Sequence, residues 1–173
     1  MLHYGNNSIL YLGEIDNKLS KRVQDIKTIF ERSEIRVKLP QSIDASLKSH
    51  AALITALALG SKAARRINSD FSSEDQLLEK SVISFRENLK ALKKLTITIL
   101  PSKFKYLQYI PKNLIIGKIK KLINSDFGRI ALSGHANYAQ EEMKRLVDDF
   151  NDLPKTVNSS RTVKRQLYSL CYK

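Results

Sequence analysis

Apolar side chains recur at steps of four and three residues along most of this chain, which restricts it to helices packed through one face. The longest series is Leu78, Val82, Phe85, Leu89 and Leu92. Near the C-terminus, Ala139, Met143, Leu146, Val147 and Phe150 form another. At about 100° per residue such steps return to a single stripe. In the run Leu132–Phe150, His135, Glu142 and Asp149 fall seven apart and form a second line beside that stripe. The spacing places this line at a half-buried edge, where an ionisable group is both desolvated and reachable. Ordinary solvated groups on a surface helix give the same pattern.

Only 6 glycines and 4 prolines occur in 173 residues, which disfavours a turn-rich all-β fold. Residues 8–12 and 35–39 still read as short strands, with Leu19, Val23, Ile26 and Phe30 marking a helix between them. Two strands alone do not make a stable sheet, so this region calls for further strands. A second helix starts after Pro40 with Ser42 as N-cap. Its expected inner face is Ile43, Leu47, His50, Ile54, Leu57 and Ala58, and Gly60 is expected to bend or end it. Ser72-Ser73-Glu74-Asp75 resembles a capping box at the head of the third helix. TITIL (96–100) reads as an extended connector. A helix after Pro111 carries Leu114, Ile115, Ile119, Leu122 and Ile123, and a last helix over 161–171 carries Val163, Leu167 and Leu170.

The net charge of +13 favours anionic partners. From Lys90 to Lys121 there are nine lysines and no acid, interleaved with Phe104, Tyr106 and Tyr109. Lysines that neutralise phosphate beside rings that stack on bases are what a nucleic-acid groove requires. A solvated lysine face on an amphipathic helix accounts for most of the same residues. No apolar run approaches the ~20 residues of a membrane span, and the N-terminus lacks a signal-peptide pattern. The single cysteine, Cys171, excludes an intrachain disulfide and fits a reducing cytoplasm. Glycine-rich dinucleotide and phosphate loops, GxSxG and HExxH are all absent. With three histidines and one cysteine, a structural zinc site is not expected.

Residues 11–60 (YLGEIDNKLSKRVQDIKTIFERSEIRVKLPQSIDASLKSHAALITALALG), the helical middle and 131–150 (ALSGHANYAQEEMKRLVDDF) stand in an order that resembles the later part of ketopantoate reductase-family proteins, the 2-dehydropantoate 2-reductases. The resemblance implies a mainly α fold: a multi-helix bundle like the C-terminal domain of 6-phosphogluconate dehydrogenase, preceded by a short β-α-β remnant. Residues 1–40 would end a nucleotide-binding domain, and 41–173 would form the helical substrate and dimerisation domain. Family members reduce a 2-oxo acid with NADPH. Hydride passes to the ketone carbon, a lysine protonates the oxygen and a glutamate holds the substrate. Carried over residue by residue, Glu142 matches the glutamate and Lys48 is the nearest lysine, one position out of register. His50, His135 and Tyr138 would line the substrate. The family asparagine four residues after the lysine is Ala52 here, and Thr55-Ala56 replaces its Asn-Pro.

The family's glycine-rich half has no counterpart in these residues, so NADP is not expected to bind this chain tightly by itself. The implied partners are a second copy of the chain or a separate nucleotide-binding half, with a small 2-oxo acid as substrate and no membrane. The alternative is a basic helical nucleic-acid-binding or adaptor protein.

Overall fold

A computed structural model describes residues 9–128, 140–152 and 162–172, and it is mainly helical. Two compact units divide the chain, residues 1–48 and 49–173.

In the first unit, β1 (Ile9–Tyr11) and β2 (Arg36–Lys38) flank α1 (Lys21–Arg32). The strands pair in parallel, Ile9 with Arg36, Leu10 with Val37 and Tyr11 with Lys38. A parallel pair needs a crossover, and α1 supplies it. Ser20 caps α1 by accepting the Val23 N–H at 3.1 Å. At the far end Glu34 takes a left-handed φ of 60°, and the chain turns directly into β2. Val23 is buried, and Ile26 and Phe30 are half-buried, so the expected stripe is largely present. Leu19 is exposed because it precedes the cap and lies outside the helical period.

The next helix, α2 (Ile43–Arg66), runs from the first unit into the second. Ser42 Oγ accepts the Ala45 N–H at 3.2 Å, as expected for its cap. Its inner face shares buried Leu57 with the expected one but is otherwise shifted. Ala45, Ser49, Ala52, Thr55, Ala56, Leu59 and Ala63 are buried, whereas Leu47 and His50 are exposed. Hydropathy ranks leucine above alanine, but close approach of two helices selects small side chains. Gly60 shows the reason. It does not end α2, and a Cβ there would collide with Ser81 Oγ and lie 2.7 Å from the Phe71 ring.

The third helix, α3 (Asp75–Lys94), buries Leu78, Val82, Phe85, Leu89 and Leu92 as its spacing requires. Glu74 is its N-cap, but its side chain accepts no backbone N–H; the carboxylate accepts from Ser69 Oγ instead. Residues 97–99 form no strand. A 3₁₀ segment, Ser102–Gln108, leads to α4 (Lys112–Ile123) and then to α5 (Asp126–Gly128), α6 (Gln140–Asp152) and α7 (Thr162–Tyr172). On α4 the residues turned inward are Ile115 and Ile119, while Leu114 and Leu122 are exposed.

Two apolar clusters fill the second unit. One joins Leu57, Leu59, Leu78 and Val82 to Ile119, Val147 and Leu167. The other joins Ala52, Ala56, Phe85, Leu89 and Leu92 to Ile99 and Phe150. Each large aliphatic side chain enclosed in this way contributes about 1.5–3 kcal/mol. Leu170, expected on the inner face of α7, is 46% exposed, and Lys164 is buried instead. Among the described residues no helix is long and apolar enough to cross a membrane.

Candidate functional site

Lys48 and His50 both project from α2. Lys48 is half-buried, and its ammonium donates to Asp44 Oδ2 at 2.7 Å, one helical turn earlier. His50 was expected near the middle of an apolar face but is solvent-accessible, because the buried stripe is the small-residue one described above. The surrounding chain still desolvates its ring enough to hold its pKa below the usual histidine value.

Glu142 stands in the first turn of α6, where an acid complements the helix dipole. It is exposed, as is Asp149, so the two described members of the seam expected to be half-buried are open to solvent. Asp149 lies about 160° around the helix from Val147, well past the edge of the buried stripe. Neither the His50 nor the Glu142 side chain makes a hydrogen bond or ion pair among the described residues. His135 and Tyr138 lie outside the described residues.

The buried polar groups are elsewhere. Asn88 on α3 is fully enclosed, and its amide donates to the Ala52 carbonyl at 2.9 Å and to Thr55 Oγ1 at 3.3 Å. The positions where the resemblance calls for asparagine and Asn-Pro (Ala52, Thr55) are thus spanned by an asparagine from the neighbouring helix. One turn earlier on α3, Ser84 is also fully buried.

Lys164 on α7 is only 1% exposed, with its ammonium 4.5 Å from the Phe150 ring centroid. Glu87 receives the head of α7, accepting the Val163 N–H at 3.3 Å and the Lys164 N–H at 3.1 Å. This carboxylate occupies the position an anionic ligand would take at that helix end. Spacing offered one clue to Lys164. It precedes Leu167 by three and Cys171 by seven and so belongs to their stripe, although a lysine is rarely fully buried.

A second network joins α6 to α7. Asp148 accepts from Lys144 Nζ at 2.9 Å and from Tyr168 Oη at 2.8 Å. The Lys144 ammonium holds the Asp148 carboxyl below its usual value, and Asp148 raises Tyr168. Tyr172 lies beneath the Lys62 ammonium, 3.8 Å from ring centroid to nitrogen, and burial pushes its phenol to about 12. Cys171 donates to the Leu59 carbonyl at 3.2 Å, and burial raises its thiol to about 11, which makes it an unreactive packing residue.

The strand–helix junction before α1 bears on a dinucleotide. Glu14 accepts from Ser20 Oγ at 2.5 Å and pairs with Arg22 at 2.6 Å, which places a carboxylate beside the capped head of α1. A pyrophosphate needs free N–H groups and a glycine-rich approach there, so this junction does not fit one. Among the described residues no group of histidine, cysteine and acidic side chains could hold a metal ion.

No protein-family model, curated protein or solved structure matches this chain.

Proposed function

We propose that this chain is the helical substrate-binding and dimerisation portion of a ketopantoate reductase-like oxidoreductase, joined to the last strand–helix–strand of a nucleotide-binding domain. Its helical body would then have the fold of the 6-phosphogluconate dehydrogenase C-terminal domain. The parallel pairing of β1 and β2 around α1 carries this reading. Parallel strands occur almost only in larger sheets covered on both faces, and a parallel pair with no third strand among the described residues, with exposed Ile15, Leu19 and Ile29 nearby, is what the end of such a sheet leaves when its other strands are elsewhere.

In this reading Glu142, exposed at the head of α6, accepts a hydroxyl of the 2-oxo acid, and His50 lies along the substrate's path. Lys48 is the candidate proton donor and would have to leave Asp44 to reach a ketone oxygen. Asn88 takes over the space-filling and hydrogen-bonding part of the amide that the family carries on the second helix. The nucleotide comes from a second polypeptide or segment, since the α1 junction is closed by Glu14 and Ser20.

The test mixes the chain with a separately produced GxGxxG-bearing half and follows 2-oxo-acid-dependent NADPH oxidation, using ketopantoate as probe. Activity is expected only in the mixture, with Glu142→Gln raising KM and Lys48→Met lowering kcat. Micromolar NADPH binding by the chain alone, or no ketopantoate binding at millimolar concentration in the mixture, would overturn the reading.

A further inference from the structure

The 3₁₀ segment 102–108 divides its residues by threes. With three residues per turn, side chains at i and i+3 eclipse. Phe104, Leu107 and Ile110 pack into the body; the Phe104 ring meets Phe85 edge-on at 5.6 Å between centroids. From α3, Arg86 binds the segment down, donating Nη2 to the Leu107 carbonyl at 2.9 Å and also to the Ile110 carbonyl. The turn continues one residue further, with the Tyr109 N–H bonded to the Tyr106 carbonyl at 3.0 Å.

The opposite row is Lys103, Tyr106 and Tyr109. Tyr106 is 66% exposed and Tyr109 is 77% exposed, and each step along the row rises about 6 Å. Lys103 and Lys105 are exposed and have no carboxylate partner among the described residues, whereas Lys112 pairs with Glu79 and Lys120 with Asp75. The stretch from Lys90 to Lys121 contains no acid.

We propose that this row is a stacking platform for a single-stranded nucleic acid. Tyr106 and Tyr109 each take the face of one base, and Lys103 and Lys105 take the phosphates between them. A duplex hides its base faces, so exposed rings select a single strand. A lipid surface would call for the apolar row outward, and here Phe104, Leu107 and Ile110 are turned inward. A lysine face that served only solubility would have no use for two largely exposed rings in register on an anchored segment. The proposal is independent of the reductase reading.

Fluorescence anisotropy of labelled oligo(dT) and oligo(U) with the full chain tests it, with a duplex of equal length and anionic vesicles as competitors. Binding of either strand is expected. Two phosphate contacts give a slope of log K on log salt of about −1.4, or roughly sevenfold weaker binding at 200 mM than at 50 mM salt. Replacing Tyr106 and Tyr109 by alanine should weaken binding roughly tenfold per ring, while phenylalanine at both positions retains it. Lys103→Gln with Lys105→Gln should flatten the salt slope without relying on the rings. Absence of binding at low salt would overturn the proposal. So would an alanine pair of unchanged circular dichroism that binds as wild type does, or competition by duplex or vesicles as effective as that by single strands.

Discussion

The strand–helix–strand unit at 9–38 leaves Ile15 at 90% exposure with Leu19 and Ile29 also open, whereas the helical body from residue 49 encloses two continuous apolar clusters. Both regions show clear apolar periodicity, so pattern strength does not separate them. The difference lies in what each pattern has available to face. α3 meets small residues on α2 and apolar ones on α4, α6 and α7. In the first unit two three-residue strands offer α1 little surface to cover.

The comparison can be broken most directly by large-to-small substitution in each region. Leu78→Ala in the helical body should cost about 3 kcal/mol in urea unfolding. Val23→Ala, the deepest site on α1, should cost about 1.5 kcal/mol and act on a separate, earlier transition. A single shared transition for both variants would erase the distinction between the regions.

Gly60→Ala sharpens the account of how the body packs. In an unconstrained helix interior this change gains about 1 kcal/mol. Here the new methyl meets Ser81 Oγ and the Phe71 ring, and the protein should lose about 2 kcal/mol. Adding Ser81→Ala should restore part of the loss. A gain from Gly60→Ala alone would mean that α2 and α3 are farther apart than described.

The smallest effect concerns His50. Desolvation lowers its folded pKa, so the unfolded chain binds the proton first as pH falls. Its contribution to stability is therefore intact above the unfolded value of about 6.5 and declines as pH falls below that, levelling off below the folded pKa. The difference in stability between wild type and His50→Gln should show this slope. A flat difference would mean that the ring is as well hydrated as in the unfolded chain.

Helical period is local, and it places Lys48 and His50 on α2 and Glu142 on α6. Their surroundings were not legible. Lys48 meets Asp44, His50 faces solvent, and the seam through Glu142 and Asp149 lies on the outer side of α6. Spacing puts Asn88 three after Phe85 and four before Leu92, on their stripe, but its partners Ala52 and Thr55 lie on another helix more than thirty residues earlier.

Sequence alone determined the helical class, the strand–helix–strand order at 9–38, the Ser42-capped start of α2 and the Leu78–Leu92 stripe, because caps, turns and 3.6-residue periodicity depend on neighbours a few positions away. Tertiary structure alone decided which face of α2 is inside, why Gly60 sits within it, that Lys164 is buried while Leu170 is not, and that Tyr106 and Tyr109 are turned outward. Those outcomes depend on how closely two helices approach and on which groups from distant segments meet there, and no local rule encodes that distance.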